Sequence, residues 1–135
     1  ASVLIVDDMP LNLKILSEMC QGFGCATELA TNGREAIEIF KAKKFDLILM
    51  DCHMPILDGI AAAKEIRELE KSFREKTENF CCTPIIALTA DALVSTRNKC
   101  MEVGMQEVLH KPIMLENLEK CLSNHLPKRA NLRAG

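Results

Sequence analysis

Five short apolar runs alternate with five stretches of helical periodicity, and this alternation narrows the possible folds more than any other feature of the chain. Residues 3–6 read Val-Leu-Ile-Val, residues 47–50 Leu-Ile-Leu-Met and residues 85–88 Ile-Ile-Ala-Leu. Runs with no polar residue in alternation predict strands buried on both faces. Residues 26–30 are less apolar, which suits a sheet edge, and residues 107–110 predict a weak fifth strand. Between the strands, Leu13, Ile15, Leu16 and Met19 follow Pro10, a residue suited to a first helical turn. Ala36, Ile37 and Phe40 mark a second helix; Ala63, Ile66, Leu69 and Phe73 mark a third. The other face of the third helix, Lys64, Glu65, Arg67, Glu68, Lys71, Arg74 and Glu75, predicts a solvated surface. Residues 70–82 are expected to be a helix extension and a long loop. Asp91 is a candidate cap for a fourth helix stopping at Gly104, and a fifth helix carries Leu115, Leu118, Cys121 and Leu122 and ends before Pro127. Strands alternating with helices predict a parallel sheet covered on both faces by right-handed crossovers.

The chain has 135 residues, the size of one domain. Aromatic residues are only 4 %, so the core must be built from aliphatic side chains and methionine. A net charge of −2 gives no reason to expect nucleic acid or an anionic membrane as partner. There is no apolar run long enough to span a bilayer. The first residues lack a basic region and a cleavage pattern, and the chain reads as a piece of a longer protein. The seven cysteines are odd in number and show no paired C-x-x-C spacing. Adjacent Cys81 and Cys82 are expected to be free thiols, because neighbours bridge only with strain. A reducing, intracellular setting follows.

In a parallel sheet, all strands end at one rim, where open α/β folds bind their ligands. Asp7 and Asp8 follow the first strand, Asp51 the third and Thr89 the fourth, while Lys111 follows the fifth. Three carboxylates together repel unless a cation joins them. Oxygen ligands alone favour a hard ion, Mg²⁺ or Mn²⁺. With a lysine and a hydroxyl beside them, the group reads as a phosphoryl cradle in which two carboxylates hold the metal and the third attacks phosphorus.

The ordered set Asp7-Asp8, Met50-Asp51 with Met54-Pro55, Asp58-Gly59, Leu88-Thr89-Ala90 and Lys111-Pro112 resembles the receiver domains of two-component response regulators. The motifs cover nearly the whole chain. The wording from Asp51 to Pro55 and from Ile85 to Leu93 is most similar to receivers fused to hybrid sensor histidine kinases. The resemblance implies a flavodoxin-like (βα)5 doubly wound α/β fold with sheet order 2-1-3-4-5, formed by residues 1–126, with residues 127–135 as a C-terminal tail or linker. It implies that Asp51 is the phosphoacceptor, that Asp8 binds Mg²⁺ directly with Asp7 assisting, and that the His53 backbone carbonyl is a further metal ligand. It makes Lys111 the grip on the phosphoryl group, Thr89 the switch hydroxyl and the Ala90 backbone amide an added donor. The implied partners are a sensor histidine kinase, in cis or in trans, and a histidine phosphotransfer protein, with no nucleic acid and no direct membrane contact. The implied location is cytoplasmic, whether or not the parent chain is membrane-anchored. Such a domain catalyses its own aspartyl phosphorylation without turnover on a separate substrate, while the parent would be a protein-histidine kinase. One departure stands out: receivers usually carry Tyr or Phe three residues before the lysine, and here the residue is Val108. The aromatic rotamer swing is therefore unavailable, which suits a receiver that passes phosphate onward.

Other readings are weaker. A phosphatase of the haloacid dehalogenase type wants a second Asp two residues after the nucleophile, where this chain has His53. A flavodoxin-like cofactor site wants Ser, Thr and Gly in the first loop, which here reads Asp7-Asp8-Met9-Pro10. A stand-alone response regulator, or a receiver-like interaction module that is never phosphorylated, remains the alternative. His110 should face away from Lys111 and Cys52 away from Asp51, by the alternation of strand side chains. His125 reads as a helix-end residue.

Overall fold

The structure, a computed structural model, describes residues 1–54, 57–74, 82–90 and 93–126, the side chains of Phe73 and Arg74 excepted. Five strands and five helices alternate. They are β1 (Ser2–Val6), α1 (Pro10–Gly22), β2 (Ala26–Ala30), α2 (Gly33–Ala42), β3 (Leu47–Asp51), α3 (Gly59–Arg74), β4 (Ile85–Thr89), α4 (Val94–Glu102), β5 (Glu107–His110) and α5 (Leu115–His125). The sheet runs β2-β1-β3-β4-β5, and every pair is parallel. This is the flavodoxin-like architecture expected from the sequence, with the less apolar β2 at an edge.

Strand alternation sorts the core into two layers. Val3, Ile5, Leu47, Leu49, Ile86 and Leu88 pack on α1 and α5, through residues such as Leu16 and Leu118. Leu4, Val6, Ile48, Met50, Ile85 and Ala87 pack on α2, α3 and α4, through residues such as Ile37, Ile66 and Cys100. All twelve of these strand residues are fully buried, so the three central strands carry apolar residues on both faces.

Several sequence expectations are corrected. Ile15 and Leu115 are 45 % and 52 % exposed, so the buried stripes of α1 and α5 are narrower than their apolar residues suggest. Arg67 does not lie on a solvated face, and Glu70, at the start of the expected extension, is a buried partner to it. Glu70 is 1 % exposed; its carboxylate accepts from the Thr83 backbone N–H at 2.7 Å and pairs with Arg67. The Arg67 guanidinium also donates to the Gly104 carbonyl and to Gln106 Oε1. The flank of α3 therefore docks onto the segments that enter β4 and β5, a contact that periodicity along one helix cannot reveal. The residue preceding α4 is Leu93, which makes no side-chain cap. Asp91, Pro55, Cys81, Pro127 and the tail after residue 126 lie outside the described residues.

Candidate functional site

The carboxyl rim of the sheet collects the acidic residues. Asp51 is the last residue of β3, and Asp7 follows β1. Alternation continues past the strand ends: Asp7 has the parity of Val3 and Ile5, Asp51 that of Leu47 and Leu49, and Lys111 that of Leu109. These three side chains therefore point to the α1/α5 side and meet. Lys111 Nζ lies 3.1 Å from Asp7 Oδ2 and 3.2 Å from Asp51 Oδ2. Asp7, Asp8 and Asp51 each offer a carboxylate oxygen within 4.8 Å of the others. Asp7 and Asp51 are buried, at 0 % and 3 % exposed, and Asp8 is open to solvent.

The surroundings hold the two buried carboxylates in place. Asp7 accepts from the Met9 backbone N–H at 2.9 Å and from Asn12 Nδ2 at 3.3 Å. Asp51 accepts from the His53 backbone N–H at 3.2 Å. Sequence reading passed over Asn12; its position early in α1, a few residues after Asp7, was the available signal. The loop after β3 is fixed by close packing. The Gly59 N–H donates to the Cys52 carbonyl at 3.1 Å, and a Cβ at Gly59 would stand 2.1 Å from the Asp51 carbonyl oxygen. Asp58 caps α3 by accepting from the Ala61 N–H at 2.8 Å. The Asp58-Gly59 pair thus lets the chain turn against the end of β3.

Burial pushes the Asp51 carboxyl above its ordinary pKa and Asp7 pushes the same way, while the Lys111 charge and the His53 amide pull it back. Burial works against the Lys111 ammonium, but the hydrogen bond to Asp7 and the charges of Asp51 and Asp7 outweigh it and raise its pKa. Lys111 thus occupies the place of a countercharge among carboxylates. The donor set is all oxygen, which fits a hard divalent cation.

Thr89 ends β4, is 1 % exposed and sits in register with His110. It has the parity of Ile85 and Ala87, on the α2/α3/α4 side, and Ala90 beyond it is exposed. Lys111 is tied to this strand end by its backbone N–H, which donates to the Thr89 carbonyl at 2.8 Å. Cys52 turns away from Asp51, as expected, and its Sγ lies 3.5 Å from Cys100 Sγ of α4. His53 and His110 are exposed. Val108 is half-buried against the α2/α3/α4 layer. No helix among the described residues is long and apolar enough to cross a membrane.

Comparison with known proteins agrees with this geometry. Residues 3–123 match the family described as the response regulator receiver domain. Hybrid signal transduction histidine kinase B of Dictyostelium discoideum is 40 % identical over 128 residues, covering 92 % of this chain but only 6 % of that protein. The chain thus spans a small fraction of that relative's length. The receiver domain of sensor histidine kinase PA1611 from Pseudomonas aeruginosa, solved with magnesium in its active-site cleft, superposes with a TM-score of 0.78 at 35 % identity, covering 92 % of this chain and 95 % of that one. A chain of the Saccharomyces cerevisiae co-crystal of the histidine phosphotransfer protein Ypd1 with the receiver domain of Ssk1 gives a TM-score of 0.88 at 35 % identity, covering 96 % and 90 %. With its fold, its acidic rim and this match in hand, the chain belongs to the response regulator receiver domain family.

Proposed function

We propose that the chain takes a phosphoryl group from a phosphohistidine onto Asp51 and hands it on within a phosphorelay. The observation that carries this reading is the buried Asp51 carboxylate, with one fixed cation at 3.2 Å and two further carboxylates beside it. The Asp51 oxygen attacks phosphorus, the P–N bond breaks and the imidazole leaves. Lys111 meets the charge on the phosphoryl oxygens, the Ala90 N–H donates to them, and the Thr89 hydroxyl moves toward them from the α2/α3/α4 side. Asp8 and Asp51, with the His53 carbonyl, would hold Mg²⁺, with Asp7 assisting, and a bound ion would supply positive charge between the carboxylates and the phosphoryl group. The magnesium in the PA1611 receiver supports this assignment.

The surface near the rim supports a protein donor. Met9, Leu11 and Ile15 of α1 and its approach are exposed, as are Met114 and Leu115 across the rim. A groove lined by Asn12, Ile15, Pro112 and Ile113 opens onto Asp7 and Lys111. Exposed apolar groups around a reactive carboxylate suit the helix of a phosphotransfer or kinase partner. The Ypd1 complex of a similar receiver points the same way. Residues 1–126 are then the receiver unit of a cytoplasmic part of a hybrid sensor histidine kinase. With Val108 in the aromatic position, it relays phosphate and drives no attached effector.

Intact mass after incubation with Mg²⁺ and a small phosphodonor tests the chemistry. Wild type should gain one phosphoryl group, and Asp51→Asn, or wild type in chelator, should gain none. A gain retained in Asp51→Asn would place the acceptor elsewhere. No gain from either a small donor or a phosphohistidine protein, in folded wild type, would favour the unphosphorylated interaction module.

A further inference from the structure

A second group of metal-ligating side chains lies at the opposite end of β5 from the acidic rim. Glu107 opens β5 and pairs with Ile86, three residues before Thr89 meets His110. Three residues of strand span about 10 Å. Glu107 has the parity of Leu109, so it faces α5. On α5, Cys121 and His125 are four residues apart, one turn along a single helix face. His125 Nε2 lies 3.1 Å from Glu107 Oε1, and Glu107, Cys121 and His125 each offer a ligand atom within 4.8 Å of the others. Cys121 is fully buried, and Glu107 and His125 are partly covered.

We propose that Glu107, Cys121 and His125 form a site for Zn²⁺ or a similar borderline-soft transition-metal ion, separate from the all-oxygen rim. Sulfur, imidazole and carboxylate together are donors of zinc, and an i,i+4 pair on a helix is a known way to present two of them. Bonds of about 2.0–2.3 Å from a tetrahedral ion put its ligand atoms roughly 3.3–3.7 Å apart. The His125–Glu107 distance of 3.1 Å and the 4.8 Å bound on the whole group are of that order. The three protein ligands leave a fourth position for water. On binding, the Cys121 S–H proton passes to solvent as the S–metal bond forms. Magnesium is a poor occupant, because it takes oxygen ligands. The bond would pin the last turn of α5 to the edge strand, and ion binding to the folded state would raise its stability.

The test is Co²⁺ titration of the reduced chain in saturating Mg²⁺, followed by Zn²⁺ competition. Wild type should develop a sulfur-to-cobalt charge-transfer band at one equivalent, lost as Zn²⁺ displaces cobalt, and Zn²⁺ should raise Tm. Cobalt at the acidic rim gives no such band, since no thiol stands among its ligands. Cys121→Ala should abolish the band, Cys82→Ser should keep it, and His125→Gln and Glu107→Gln should each weaken affinity at least about ten-fold. His125→Gln changes a partly exposed helix end, so it decides the matter if Cys121→Ala does not fold. Absence of the band in wild type, its persistence in Cys121→Ala, or unchanged affinity in both Gln variants would overturn the site.

Discussion

Lys111 stands 3.1 and 3.2 Å from two buried carboxylates, so at this residue a protein cation and a bound metal compete for the same charge. Unit charges about 4 Å apart interact by roughly 1 kcal/mol even at the dielectric of water, and by more where partly buried. Lys111→Gln should therefore bind Mg²⁺ about three- to ten-fold more tightly than wild type, as isothermal titration reads it. The same variant should be less stable in chelator, where Asp7 and Asp51 face each other without a countercharge, and Mg²⁺ should raise its urea midpoint more than that of wild type. Phosphorylation should fall nonetheless, since among the described residues Lys111 is the cation that pairs with the rim carboxylates and can meet the phosphoryl oxygens. Weaker Mg²⁺ binding in Lys111→Gln would show that the lysine acts as a structural strut and not as a stand-in cation. The rim was readable in the sequence because its acidic members and Thr89 follow or end buried runs, Lys111 follows the weaker fifth strand, and a parallel sheet aligns those ends. Asn12 was not readable in this way, since a polar residue early in a helix has many ordinary uses.

At the scale of elements, strands announce themselves and helix flanks do not. β1, β3 and β4 are apolar runs buried on both sides, so composition alone marks them. A helix buries a stripe whose width is set by its neighbours, which is why Ile15 and Leu115 belong to the apolar pattern yet stay exposed. Arg67 and Glu70 show the converse: two charged residues one turn apart join α3 to the entries of β4 and β5 through Thr83, Gly104 and Gln106. No local pattern encodes a partner found only after the chain has crossed the sheet. The consequence is measurable. Glu70→Ala leaves a buried backbone N–H without its acceptor and takes a partner from Arg67, at a cost of about 3 kcal/mol in urea unfolding. Arg67 and Glu70 lie some two to three turns beyond Gly59, away from the rim, so the phosphorylation rate of the folded variant should stay within about two-fold of wild type. A loss in rate without a loss in stability would place this network in the switching machinery.

Over the whole molecule, the aliphatic core and its cysteines set a limit at high pH. Cys20, Cys25, Cys52 and Cys121 are all buried, and burial pushes each thiol up, Cys20 to about 12. A thiol in the unfolded chain ionises near about 8.5. Between those values the folded state keeps protons that the unfolded state releases, so stability falls as pH rises. The contribution is fully present below about pH 8 and is lost progressively toward pH 12. One such group loses up to about 1.4 kcal/mol per pH unit, and several titrating together approach the whole stability of a small domain within one to two units. The urea midpoint, measured in reductant and chelator, should be level from pH 7 to 8 and drop steeply from pH 8.5 to 10. Lys111, whose pKa is also raised, adds loss of the same sign only above about pH 10.4, beyond that range. The chain contains no tyrosine, so no phenol ionisation confuses the reading. Cys20→Ala should unfold more easily at pH 7, through the lost contacts, yet show a shallower fall with pH, because one of the coupled protons is gone. A midpoint that stays flat to pH 10 would mean that the thiolates are accommodated in the fold, and that burial does not hold these sulfurs neutral.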